Sequence, residues 1–139
     1  METVVNNAEV ADSLRFAVLH LSRGLRGSGR LGESRFCVLT VLAQGPMTVS
    51  ELASHERVSV PSMSKLVSAM AEAGQVRRER DAYDSRRTEV TITDEGRAAL
   101  DAASLEGAAW LDQQFGKLEG DDIATLGRAA RIMRAMITR

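Results

Sequence analysis

Residues 48–93 read TVSELASHERVSVPSMSKLVSAMAEAGQVRRERDAYDSRRTEVTIT, and within them the hydrophobic period changes from that of helices to that of strands. Thr48-Val49-Ser50-Glu51 fits a capping box, in which the threonine hydroxyl accepts from the Glu51 backbone and the carboxylate reaches back. It opens a short helix with Leu52 and Ala53 inward. After Arg57-Val58, Ser59 is placed to cap a second helix that carries Pro61 in its first turn, where a missing N–H does no harm. Met63, Leu66, Val67 and Met70 recur at helical spacing, and Gly74 stands at the C-terminal position glycine favours. Gln75–Arg80 and Thr88–Thr93 then read as strands, the second with Val90 and Ile92 inward, joined by the charged loop Asp81–Arg87.

Two short helices joined by a tight turn, followed by strand, basic loop and strand, predict a winged helix-turn-helix. In that order the second helix, Ser59 to Ala73, is the one expected in the major groove of duplex DNA. Met63, Val67 and Met70 must face the domain, which leaves Val60, Pro61, Ser62, Ser64, Lys65 and Ser68 at or near the other side. Lys65 suits guanine O6 and N7, Ser62 pairs with several bases, and Val60 or Pro61 suits a thymine methyl. Phosphate contacts are expected from Thr48, Ser50, Ser64, Ser68 and Arg87. In the wing, Arg86 and Arg87 are the candidates to enter a narrow A·T minor groove. Asp84, two residues before Arg86, is placed to hold the loop or orient the guanidinium.

Outside this head the pattern is helical. Val10, Leu14, Ala17, Val18, Leu21 and Leu25 predict a first helix from about Ala8 to Leu25, and Gly24, Gly27, Gly29 and Gly32 break the pattern after it. Phe36, Leu39 and Leu42-Ala43 resume it in a short helix that Gly45-Pro46 ends. Thr93-Asp94-Glu95 caps a long helix running to about Phe115, and Gly120-Asp121-Asp122 starts the last, with Ile123, Leu126, Ala130, Met133 and Ile137 on one stripe. The expected fold is mainly α with a small β-hairpin wing, in one domain over 1–139. Its reading part is 33–96, and 8–26 with 94–138 supply more apolar helix surface than one winged domain needs. Pairing of two copies covers that surface and matches a palindromic duplex.

The chain of 139 residues carries a net charge of −1, but the charge is unevenly spread. Residues 57–87 hold seven basic and four acidic groups, a balance of +3, against −1 before them and −3 after. The positive charge therefore sits where a DNA footprint would lie. Apolar runs are too short to span a bilayer, and Met1 to Ala8 lack the basic start and apolar stretch of a signal peptide, so a cytoplasmic protein is expected. His20 and His55 have no partner ligands at metal spacing, and no catalytic triad, Walker loop or dinucleotide fingerprint is present. Neither an enzyme, a metal site nor a cofactor is expected. Cys37, the one cysteine, excludes an intrachain disulfide; beside Phe36 it reads as a small buried hydrophobe, with a thiol redox sensor as the alternative.

The run Asp81-x-x-Asp84-x-Arg86-Arg87, then Val90-x-Ile92-Thr93-x-x-Gly96, resembles the wing signature of the MarR family of bacterial regulators. Val58-Ser59, Gly74-x-Val76 and Arg78 are similar to the family's preceding stretch, and the likeness is most specific from Thr48 to Gly96. The resemblance implies a homodimer built from the terminal helices, one reading helix and one wing per subunit, and repression of a nearby gene. It implies that Arg86 is the wing arginine and Asp84 its partner acid, and that effectors are often small aromatic or anionic molecules. The rival from another class is a winged-helix domain that binds protein, its basic wing merely solvated.

Overall fold

A computed structural model describes residues 6–25 and 31–138, so the glycine-rich stretch through Arg30 lies outside the described residues. The elements are α1 (Asn7–Leu25), α2 (Glu33–Leu42), β1 (Met47–Thr48), α3 (Val49–Glu56), α4 (Val60–Glu72), β2 (Val76–Arg80), β3 (Thr88–Ile92), α5 (Asp94–Phe115) and α6 (Gly120–Ile137). Mainly helical with a small sheet, this is the architecture the period change predicts.

The sheet is antiparallel, ordered β1-β3-β2. β2 and β3 pair from Val76↔Ile92 to Arg80↔Thr88. The third strand, β1, was not foreseen: Met47 and Thr48 pair with Val90 and Glu89, and two residues are too few to show an alternation. α2 also starts at Glu33, ahead of the expected Phe36, after Gly32 with φ of 80°, a value glycine adopts without strain.

The reading part has its own core. Val38, Leu39 and Leu42 of α2 meet Leu52 and Ala53 of α3, Met63, Val67 and Met70 of α4, and Val76, Val90 and Ile92 of the sheet. Each large side chain here contributes about 1.5–3 kcal/mol by leaving water. Met63, Val67 and Met70 form the buried face of α4, so its opposite face is presented outward.

α5 joins this head to the terminal helices. Its first turn lies so close to the α4–β2 turn that a β-carbon at Gly96 would sit 2.0 Å from Gln75 O. Farther along, a β-carbon at Gly107 would sit 2.0 Å from Leu25 O, and one at Gly24 would strike the Trp110 ring at 2.3 Å. The two glycines let α1 and α5 cross nearly backbone to backbone. α1 and α6 contain no buried residue, although Val10, Phe16, Val18 and Leu19 of α1 and Leu126, Ile132 and Met136 of α6 are large and apolar. Among the described residues no helix is long and apolar enough to cross a membrane.

Candidate nucleic-acid interface

The interface is assembled from two helix starts and a hairpin. At α3, Thr48 Oγ1 accepts from Glu51 N at 3.1 Å, and Glu51 Oε1 accepts from Thr48 N at 3.4 Å, which completes the capping box read from the sequence. Arg57 then takes a left-handed conformation, φ 57°, and Val58 N donates to Ala53 O at 3.0 Å, so the chain turns within three residues. Ser59 caps α4, accepting from Ser62 N at 3.2 Å and donating its hydroxyl to Ser62 Oγ at 2.8 Å. Pro61 follows in the first turn, as anticipated.

On α4, Val60, Pro61, Ser62 and Lys65 are exposed, whereas Ser64 and Ser68 are half-buried. The reason lies on β2. Arg78 shares the sheet face of Val76, and its Nη2 lies 3.0 Å from Ser68 Oγ and 3.5 Å from Ser64 O. Ser68, expected to meet DNA, is thus engaged by an arginine. Residue parity along β2 carried the signal: Val76 is buried, so the side chain two positions on returns to the same face.

The wing loop is held by two aspartates. Asp81 Oδ1 accepts from the backbone of Tyr83 at 2.8 Å and of Asp84 at 3.2 Å. Asp84 Oδ1 accepts from Arg86 N at 3.0 Å and from Arg86 Nε at 3.3 Å. Both are Asx turns, and the second also aims the guanidinium. The Arg86 side chain is 91% exposed. Backbone hydrogen bonds from Tyr83 first and Asp84 second hold the Asp81 carboxyl below its ordinary range.

Arg87 behaves differently. It donates to Glu89 through Nε at 3.1 Å and to Glu51 through Nη2, tying the wing to the cap of α3. The bond to Glu89 and then the Glu51 charge raise its pKa above the usual guanidinium range. Glu51 is lowered, chiefly by the Thr48 hydroxyl, then by the Thr48 backbone and Arg87.

These elements enclose an open groove of 570 Å³, lined by Thr48, Val49, Ser50, Ser64, Arg78, Arg86, Arg87 and Thr88. It brings together five residues that the sequence marked for DNA and adds Val49, Arg78 and Thr88. Arg86, Arg87 and four hydroxyls converge there, a donor set suited to a phosphodiester, while Arg78 forms part of the wall and is engaged by Ser68. Pro61, Ser62 and Lys65 lie off the groove, farther along or around α4. Ser62 instead lines a second cleft, of 370 Å³, with Glu33, Cys37, Glu56, Val58 and Met63 among its walls. Cys37 is half-buried and not buried as expected, because it stands one position off the Val38–Leu39–Leu42 face of α2. The cleft presents two carboxylates and no cation, so its charge does not suit an anionic effector.

Known proteins place this geometry. The family model described as the MarR family matches residues 33–88, which hold α2, the helix pair, β2 and the wing loop. An HTH-type transcriptional regulator of Mycobacterium tuberculosis is 33% identical over 136 residues, covering 95% of each chain, and one of Mycobacterium leprae is 32% identical over the same length. Among solved structures, a MarR family protein from Bacillus stearothermophilus superposes with a TM-score of 0.79 at 21% identity, over 98% of this chain and 100% of that one. Wild-type MarR from E. coli superposes with a TM-score of 0.73 at 17% identity, again over 98% and 100%. Since the mycobacterial likeness runs nearly end to end and the family model falls on the reading head, the chain belongs to the MarR family of transcriptional regulators, with the DNA-binding winged helix-turn-helix fold.

Proposed function

We propose that the protein is a homodimeric repressor of a nearby gene, binding a pseudo-palindromic operator and released by a small molecule. The observation that carries the reading is the open groove between α3, α4 and the wing, where Arg86 and Arg87 stand with the hydroxyls of Thr48, Ser50 and Ser64. Backbone phosphates contact Thr48, Ser50, Ser64 and Arg87; Pro61, Ser62 and Lys65 meet base edges. Arg86, oriented by Asp84, enters the minor groove. The apolar faces of α1 and α6, exposed in the single chain, pair across a twofold axis and set two reading heads one helical turn of DNA apart, or a multiple of it.

Selection of bound fragments from genomic duplex tests the reading and supplies the operator. The expected product is a palindromic site with a steep fall of log affinity against log salt. Weak, shallow binding to every duplex would instead support a protein-binding module. A second reading rests on Cys37, whose position beside Val58, Ser62 and Met63 sets a thiol near the start of α4. Unchanged operator affinity after peroxide treatment, with the thiol shown to be oxidised, excludes that switch.

A further inference from the structure

We propose that Arg78 is a positioning residue that fixes the angle of the reading helix relative to the wing, and so governs operator specificity more than affinity for DNA at large. The proposal rests on the DNA-binding reading of the groove.

The apolar underside of α4, Met63, Val67 and Met70, holds the helix against the core. Apolar contact is non-directional, so by itself it leaves the helix free to rock about its axis. The C-terminal end is pinned by the turn that follows: Gln75 N donates to Met70 O at 2.9 Å, and the Thr93 hydroxyl donates to Gly74 O. The start of the helix is joined to α3 through Val58 N and Ala53 O at 3.0 Å, and toward this reading end one tie to the sheet exists. Arg78 Nη2 donates to Ser68 Oγ at 3.0 Å and lies 3.5 Å from the Ser64 carbonyl oxygen, and among the described residues no other side-chain hydrogen bond links α4 to β2 or β3.

The neighbouring arginines are engaged elsewhere. Arg77 pairs with Glu79, and Arg87 with Glu51 and Glu89. Arg78 is therefore the strut between the two parts that touch DNA. It stands on the hairpin that ends in Arg86 and grips the helix that carries Ser62 and Lys65. Charge-assisted hydrogen bonds from a planar guanidinium fix direction as well as distance. Ser68, read from the sequence as a DNA contact, is in this account the anchor of the strut.

The test compares the wild-type protein with Arg78→Ala, Arg78→Lys, Ser68→Ala and the Arg78→Ala/Ser68→Ala double variant, on the selected operator and on a scrambled duplex over a salt series. Removing the strut is expected to weaken operator binding about tenfold and scrambled binding by no more than about twofold, with the salt slope unchanged. Ser68→Ala should reproduce most of the operator loss, and the double variant should be no weaker than Arg78→Ala, because partners in one interaction are not additive. Arg78→Lys should restore part of the loss. Equal loss on both duplexes with a slope smaller by about one would make Arg78 a direct phosphate contact and overturn the proposal. Additive losses in the double variant would overturn it as well. Should Arg78→Ala unfold, Ser68→Ala and Arg78→Lys still decide through the operator-to-scrambled ratio. A wild-type chain without salt-dependent duplex binding would overturn the DNA-binding reading itself, a failure visible before any variant is measured.

Discussion

At the scale of single residues, the wing shows how two carboxylates can serve a basic site. Asp84 accepts from both the backbone and the side chain of Arg86, so it limits where a guanidinium that is 91% exposed can point. Arg86→Ala should cost about 1–3 kcal/mol of operator binding, read as affinity at fixed salt; an unchanged affinity would remove Arg86 from the minor groove. Asp81 supports the same loop through its two backbone acceptor bonds. Its folded pKa is depressed below the ordinary 3.8, so the stability it lends is fully present above that value and is lost as pH falls through the lower, folded one. Amide exchange at Tyr83 and Asp84 should therefore be retarded at neutral pH and lose that protection only below 3.8, as pH falls through the depressed folded pKa, with Asp81→Ala unprotected throughout. Equal protection in the variant at neutral pH would show that the turn does not depend on the carboxylate. Most of these residues were legible because turn and cap chemistry is local: Thr48, Ser59, Asp84 and Arg86 each act on atoms two or three positions away. Arg78 was not assigned a role because its partners lie 10 and 14 residues distant, across a helix-to-strand turn.

Among the elements, those with a one-sided apolar pattern were read correctly, and the departures come from short pieces and close crossings. Periodicity marked Met63, Val67 and Met70 as the inner face of α4 and Val90 and Ile92 as that of β3, and all five are buried. β1 is too short for any period, yet it makes the hairpin a three-stranded sheet and joins the cap of α3 to the wing. The glycines were harder to interpret. Gly24 looked like a helix breaker, whereas it lies within α1 and admits Trp110 of α5. Gly107 is a clearer case, since backbone and not a mobile side chain confronts its missing β-carbon. Gly107→Ala gains helix propensity of about 1 kcal/mol but must push α1 from α5, and overpacking of this kind costs about 1–3 kcal/mol. The crossing should dominate, because a 2.0 Å approach to Leu25 O cannot be relieved by a rotamer change. A lowered unfolding temperature is the expected result, and a raised one would mean that α1 shifts freely. Thr48→Ala tests the opposite end of the head: loss of the cap should destabilise it by about 1 kcal/mol, measured by denaturant unfolding, and should also release Glu51 toward Arg87.

For the whole molecule, the exposed apolar residues of α1 and α6 stand against a reading head whose own core is complete. Val10, Phe16, Val18 and Leu19 on one helix and Leu126, Ile132 and Met136 on the other are an unusual load for two helices left in water. The stripes read from the sequence hold Val10, Val18 and Leu126 but not Phe16, Leu19, Ile132 or Met136, and they did not identify the surface that covers them, because an apolar stripe reads the same whether its partner is in the same chain or in another. In the proposed dimer a second copy would answer two requirements at once, covering the faces and setting the separation of two heads. The wild-type protein should sediment at twice its 15.1 kDa mass. Leu126→Asp with Ile137→Asp places two charges on the α6 stripe, outside the core of the head. That variant should sediment as a folded monomer and keep its affinity for an isolated half-site. Its affinity for the full operator should fall by roughly 10²–10⁴, because the second head no longer binds at a raised effective concentration. A folded monomer that retains the full two-site affinity would detach spacing from dimerisation. A variant that stays dimeric would place the interface away from the α6 stripe.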